Sequence, residues 1–564
     1  METPISGGEP ESESEKIQED TYSGEVVFLY SSKVKGGVNI AGVCELLVVS
    51  EMFGLALNSN GRIYFKENGR LKSQQLDIET SISGLGMTVS GHEGFLSAGP
   101  GDTNMYSLTS AFNLLLSEKK LFNSEFGFPT ESARIFMRPI AIKTEGAEDY
   151  DLYMPCVRIY SDGIISISFS SVFGFQEASV REVIYAEVNK SRRNITSVLC
   201  ERAVHSACNE TLISQMPLRV RVQQRRELTA IMQSSLNAPE ELEFLDERLS
   251  LYELLHTNKF TLTDIARGML SVVARAIKVG GVRTNISWFG KQYRDDSVGA
   301  YWHGKPIVCI RSHTRQEKSS AENWAVHKSF VDSVMSRVHL AEGVPNALLK
   351  YSDMRNFDDY NNFYSEPVSL LLSSAQVELS IKKGDSYTFS NLTSDIQVLN
   401  EASHFIKIYY AYASLGFDEC KTAIDVARLE LEVLKFEETL LSAHKYGEVA
   451  MYLEEVKRGG HLTTVYKLLT KKIETVRKAL ELDEKIASES YARRITIIFG
   501  IIASATLSPE LMQPLAKYYG VASADEPLAK IVGIGASVIV VIGTLMFTHY
   551  IFRSFTWIAR KIRM

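Results

Sequence analysis

Two groups of residues in this chain have types and spacings that suit chemistry. The first lies between Arg275 and Lys318, where nine Lys or Arg stand against Asp295, Asp296 and Glu317. Trp288, Phe289, Tyr293, Tyr301 and Trp302 are interleaved with them. Guanidinium groups beside aromatic rings suit an anionic or nucleotide-like ligand, because the planar fork meets phosphate or carboxylate while the ring offers a stacking face. Arg283, Arg294, Arg311 and His313 are the candidate ligand-binding residues. The same pattern also describes a solvated strand face over an aromatic core. The second group is Thr496, Gly500, Ser504 and Ser508, recurring at i+4, with Glu510 beyond them. On a helix these form a small, polar stripe. In a ring of such helices the stripe could line a water-filled path, with Glu510 as an acidic ring favouring cations. Small residues at this spacing also mediate ordinary helix packing.

Other chemistries are poorly served. No HExxH, GxSxG, Walker A or paired-cysteine motif occurs, so the chain does not read as an enzyme and no cofactor is expected. Gly84 to Asp102 is glycine-rich but matches neither GxGxxG nor P-loop spacing, and reads as a surface loop. Six cysteines at 44, 156, 200, 208, 309 and 420 form no CxxC pair and read as reduced thiols. Cys200, His205 and Cys208 lie close together in sequence. On one helix, however, Cys200 and His205 would diverge by roughly 140°, so no metal is expected there. The net charge of −7 and pI near 6.0 argue against bulk nucleic-acid binding.

The elements that must position these residues fall into four stretches. Residues 1–21 carry seven acidic residues against Lys16 alone, cannot bury a core and read as a disordered tail without a signal peptide. Residues 22–399 read as a mixed α/β body, either undivided or in two subdomains split near 177–275. Within it VVFLY (26–30), ELLVVS (45–50) and RIYF (62–65) look like strands, and so do TNISWF and PIVCIRS. Asp162-Gly163 between two β-rich runs marks a hairpin. Residues 178–275 read as mainly helical, with EELEFLDERLSLYELLH as an amphipathic helix. Residues 400–494 read as a helical stalk: a helix ends at Gly459-Gly460 and another starts near His461. Leu469, Ile473, Val476 and Leu480 step by 4, 3 and 4, a coiled-coil-like seam.

Residues 495–564 read as a transmembrane hairpin with a basic tail. Ile531 to Phe552 is 22 residues without a formal charge, about 33 Å as a helix. Ile495 to Leu507 is apolar and continues towards Tyr519. Arg493 and Arg494 before it, and Arg553, Arg560, Lys561 and Arg563 after the second segment, place both termini in the cytoplasm. The expected fold is therefore an α+β cytoplasmic body, long stalk helices and a C-terminal two-helix hairpin in the cell inner (plasma) membrane, with the lipid bilayer as partner.

That architecture resembles the CorA family, whose members are pentameric magnesium channels or transporters with the first spans lining the pore. The resemblance covers the C-terminal ~170 residues by arrangement. Of the family's Tyr-Gly-Met-Asn signature, Tyr519 and Gly520 match, while Val521 and Ala522 replace the methionine and asparagine. The resemblance implies a homo-oligomer, a cation-conducting path, and a pore mouth at Tyr519 and Gly520; the missing asparagine leaves magnesium selectivity without support. CorA-like proteins also occur as membrane effectors in bacterial antiviral defence, some CRISPR-associated, so a ligand-activated effector that perturbs the membrane is the alternative expectation. A membrane-tethered enzyme is the weakest.

Overall fold

The computed structural model describes residues 20–520, apart from 35–36, 81–86, 91–101, 124–127, 216–217, 245–246, 255–258, 282–303, 341–350, 355–358, 383–387, 446 and 460–461; beyond 520 it describes 535, 539, 540, 542, 543, 546 and 547. Its organising element is strand β1 (Thr21–Lys33), buried on both faces through VVFLYSS. A strand covered on both sides needs a continuous apolar run, which explains the lack of alternation in VVFLY. The neighbours of β1 are strands far away in sequence. We label these β2 (Ser132–Met137), β3 (Asp151–Tyr160), β4 (Ile164–Ser171), β5 (Lys305–His313), β6 (Tyr360–Tyr364) and β7 (Ser369–Ser373). Across the main sheet the order is Glu240–Phe244, Glu247–Glu253, Ile195–Cys200, Ile140–Thr144, β3, β4, β1, β5, β7 and β6. β2 pairs with β3 and carries Phe53–Asn58 on its other edge. The β5–β7 pairing is parallel, whereas β1 is antiparallel to both β4 and β5.

The two faces of this sheet differ in chemistry. On one, Val26, Phe28 and Tyr30 join Val157, Ile165, Ile167, Val308 and Ile310 in an apolar core. Helices α1 (Ile40–Val49), α3 (Leu262–Gly281) and α4 (Lys328–Ser336) contribute Val43, Leu47, Leu270, Val273, Val331 and Val334 to it. On the other face, α2 (Asp102–Leu121) and α5 (Phe389–Glu419) add polar and charged contacts through Glu118, Gln397 and Glu401 to apolar ones such as Phe405, whose ring lies 4.7 Å from that of Tyr160. Three helices follow: α6 (Ala423–Ser442), α7 (Gly447–Gly459) and α8 (Leu462–Tyr518). The chain divides into two compact units, Met1–Gly416 with Leu429–Thr470, and Phe417–Arg428 with Lys471–Met564.

Several local expectations hold. The strands at 26–30, 62–65 and 306–312 are present. The Asp162-Gly163 turn joins β3 to β4, with Gly163 at φ +90° and Ile164 N donating to Asp162 Oδ1 at 3.0 Å. TNISWF lies outside the described residues. ELLVVS is not a strand but the end of α1: Val43, Cys44, Leu47 and Val48 are buried at helical spacing, and the Asn39 side chain caps the start. EELEFLDERLSLYELLH is not a helix. Glu240–Phe244 and Glu247–Glu253 pair as antiparallel strands, with Leu249 and Leu251 buried two residues apart. A strand, Ile195–Cys200, also interrupts the stretch expected to be helical. The stalk helix expected to run up to Gly459-Gly460 is broken between Glu419 and Ala423 and again between Ser442 and Gly447.

The membrane hairpin is overturned, and with it the multi-pass placement in the cell inner membrane and the ion-transport assignment. No helix among the described residues is long and apolar enough to cross a membrane. The first expected span is instead part of α8, 57 residues in one helix. Its apolar run Ile495–Leu507 covers only about 20 Å at 1.5 Å per residue, short of the ~30 Å hydrocarbon core. Arg493 and Arg494 close it on one side, and Ser508-Pro509-Glu510 on the other. The second expected span, Ile531 to Phe552, falls for the most part outside the described residues. Within α8, Leu469 and Ile473 of the expected seam are buried and Val476 and Leu480 half-buried, while every residue from Glu481 to Arg494 is exposed.

Candidate functional site at the junction of strand and helix

The candidate site is built where β1, β5 and α5 meet. The pairing of β1 with β5 slips between Ser23 and Gly24: Ser23 faces Ser312, but Gly24 faces Ile310, so Arg311 is the extra residue of a β-bulge. A side chain at Gly24 would place its Cβ 2.2 Å from the Cys309 carbonyl oxygen. Glycine is therefore what permits the close approach. The bulge has a direct consequence for the two candidates from this strand. Two residues apart on a regular strand, Arg311 and His313 would share a face. Here they are turned to different surroundings.

Arg311 is exposed, and its guanidinium carbon lies over the Phe389 ring, 5.1 Å from the centroid. Phe389 is the first residue of α5, whose start is capped by reciprocal bonds between Thr388 and Asn391. Glu25, half-buried opposite Cys309, lies near Arg311. Burial pushes its carboxyl above the usual range, offset in part by a hydrogen bond from Thr393 and then by the Arg311 charge.

His313 turns instead into the apolar side beside Tyr22 and His327, with the two imidazoles 4.2 Å apart. Its Nε2 lies 3.1 Å from the Ser373 carbonyl, and His327 Nε2 lies 2.9 Å from the Arg315 carbonyl. A carbonyl only accepts, so both rings carry their proton on Nε2. His327 Nδ1 then accepts from the Tyr22 hydroxyl at 2.9 Å, while His313 Nδ1 is buried without a hydrogen-bond partner. Tyr22 is stacked on Phe330 at 3.8 Å. Burial, and secondly the neighbouring His327, pushes His313 down to about 4; burial also lowers His327. At the rim, exposed Arg315 is paired with Asp20. This pair of enclosed, neutral imidazoles is a charge-averse cluster that tightens the end of the sheet.

The polar seam under α5 is the larger feature. Glu401 accepts from Arg134 Nη1 and Nη2 at 3.0 and 2.8 Å and from Arg158 Nη1 at 2.8 Å. Glu118 of α2 reaches Arg158 at 2.5 Å. Gln397 donates to Ser168 and to Glu401, Asn400 donates to Ser369, and His404 Nδ1 meets Ser31 Oγ at 3.0 Å. Burial would raise Glu401, but the two guanidiniums override it and hold the carboxyl at about 2. Next to this seam Lys305 Nζ lies over the Tyr364 ring at 3.6 Å, and Lys407 pairs with Glu366 at 3.4 Å. Burial pushes Lys305 well below the ordinary lysine range, and the Lys407 charge adds to this.

Of the other sequence candidates, Arg283 and Arg294 lie outside the described residues. Thr496 and Gly500 are exposed on α8, where Thr496 Oγ1 donates to the Ala492 carbonyl at 2.9 Å. Ser504, Ser508 and Glu510 belong to the same helix, but their side chains are outside the description. Tyr519 and Gly520 follow its end, exposed, with Gly520 at φ +69° as suits a helix terminus. Cys200 and Cys208 are buried, and burial raises both thiols. His205 Nε2 is engaged by Asn209 at 2.9 Å. Among the described residues no group of three or more His, Cys, Asp or Glu is placed to hold a metal ion. Sequence reasoning missed Phe389, Tyr22, His327, Arg134, Arg158 and Glu401. Arginines inside the strand-like runs SARIFM and CVRIY were the one available sign of a buried charge network.

Compared with known proteins, the chain matches no family description, no curated protein and no solved structure.

Proposed function

We propose that this chain is a non-enzymatic, ligand-responsive effector, with a small anion recognised at Arg311 and Phe389 and α5 carrying the response. The observation that supports this most is the seat of Arg311: an exposed guanidinium laid on the first ring of the helix that is held to the sheet by polar bonds. An anion drawn to that guanidinium bears directly on the start of α5. The polar contacts of α5, set among apolar ones such as Phe405 beside Tyr160, can exchange partners when a charge arrives at the start of the helix. The enclosed ionisable clusters favour this reading over catalysis. His313, His327, Arg134, Arg158 and Glu401 are buried and engaged with protein groups, which suits holding a shape more than meeting a substrate.

Calorimetric titration of the full chain with AMP, ATP and inorganic phosphate tests the reading. At least one should bind, Arg311→Ala should weaken binding about tenfold or more, and hydrogen exchange across Phe389–Glu419 should change on binding. No binding by any of the three, or binding unaffected by Arg311→Ala, overturns it.

A further inference from the structure

Lys305, the first residue of β5, carries a buried amine with no hydrogen-bond partner among the described residues. The residue is 4% exposed, and its Nζ lies 3.6 Å from the centroid of the Tyr364 ring. That ring in turn packs edge-on against Tyr452 of α7 at 5.3 Å. The carboxylate of this neighbourhood, Glu366, is engaged by Lys407 of α5 at 3.4 Å and is itself part-exposed. His404 of α5 sits nearby with its Nδ1 3.0 Å from Ser31 Oγ, and burial holds it neutral.

An ammonium in this seat would leave its N–H donors unsatisfied in a buried place, with a second cation, Lys407, close by. The amine is therefore held neutral, with its lone pair free. A desolvated lysine beside another cationic group is the arrangement that makes a nitrogen nucleophile. Exposed lysines of the chain stay solvated and protonated at neutral pH and do not share this property. Enclosure then limits the reagent. A sugar, a nucleotide or a keto acid would have to displace the tyrosines, whereas carbon dioxide is small, linear and uncharged. The Nζ lone pair forms a bond to its carbon, one carbon–oxygen π pair moves onto oxygen, and one N–H proton leaves to solvent, giving Nζ–COO−. No oxidant or reductant enters the step. The product suits the place better than the amine does, because it brings a negative charge to the side of Lys407.

We propose that Lys305 is a carboxylation site, which takes up carbon dioxide as a carbamate balanced by Lys407 and so couples the seating of α5 on the sheet to bicarbonate. The proposal is independent of the anion reading at Arg311. Carbon NMR of the full chain tests it, with lysine labelled by the heavy nitrogen isotope and bicarbonate by the heavy carbon isotope. One carbamate resonance is expected, split by its bond to lysine nitrogen and fading as pH is lowered, since the step releases a proton. Lys305→Met should remove it. In bicarbonate-free buffer that variant is the more stable of the two, so a lost signal is not lost structure. Lys407→Met keeps the amine but removes both the counter-charge and the cation that disfavours protonation, and should weaken the resonance several-fold. At matched ionic strength bicarbonate should raise the urea midpoint of the wild type and leave Lys305→Met unmoved. No split resonance, one that survives Lys305→Met, one undiminished in Lys407→Met, or a wild-type midpoint that ignores bicarbonate overturns the proposal.

Discussion

Glu401 in α5 accepts hydrogen bonds from both terminal nitrogens of Arg134 in β2, at 3.0 and 2.8 Å, across 267 residues of sequence. With Arg158 and Glu118 it makes a buried cluster of two positive and two negative groups. The cluster joins two helices, through Glu118 and Glu401, to Arg134 and Arg158 of the sheet.

Glu401→Ala should therefore destabilise the chain by about 3–5 kcal/mol, because it leaves two buried guanidiniums short of their counter-charge. Chemical denaturation monitored by circular dichroism measures this; a loss below about 1 kcal/mol would show that the cluster is incidental.

The same carboxylate predicts an acid transition. Its folded pKa is depressed to about 2, so its stabilising contribution is complete above the ordinary carboxylate range and is lost as pH falls from there towards 2. Melting temperature measured from pH 5 down to pH 2 should fall, and Glu401→Gln should start lower and show a shallower fall.

His313 acts in a higher window. Its folded pKa is lowered from 6.5 to about 4, so the unfolded chain binds more protons between those values and stability declines as pH drops through them. His313→Gln should flatten the melting-temperature profile between pH 6.5 and 4. An identical slope in the variant would assign the effect to other groups, with His327 next in line.

Gly24→Ala should destabilise by about 1–3 kcal/mol through overpacking, since the added methyl would sit against the Cys309 carbonyl. The bulge would have to open, so titration of His313 followed by proton NMR should move back towards an exposed histidine.

Lys305→Met should stabilise. Lys305 Nζ is buried without a hydrogen-bond partner, and a methionine of similar length keeps the contact with the Tyr364 ring while removing the amine. An increase of about 1 kcal/mol is expected in urea unfolding, and a decrease would mean that the amine holds a bound group.

Much of the local structure is legible in the sequence. VVFLY, PIVCIRS and the Asp162-Gly163 turn are strands and a hairpin because apolar β-branched runs and a glycine with positive φ leave little else open to the backbone. The helix starting near His461 is legible because nothing breaks its period. Where a short run suits either period, the tertiary structure decides. ELLVVS becomes a helix because α3 offers Val43 and Leu47 a partner surface, and EELEF with ERLSLYE becomes a hairpin because the Ile195–Cys200 edge is there to be extended.

The candidate site divides in the same way. Residue type and spacing placed Arg311 on the strand PIVCIRS, with His313 just beyond it. Only the tertiary structure separated them, because a bulge exists only relative to the strand it is paired with. Charge networks follow the same rule: the strand-like runs around Arg134 and Arg158 hint at buried charge, but nothing in their own segments names Glu401 as the partner. Their burial becomes tolerable only when distant segments fold together and each charge meets an opposite charge that offsets the loss of water. Likewise the sequence determined that Ile495–Leu507 is apolar, and its setting within a long charged helix decided against its crossing a membrane.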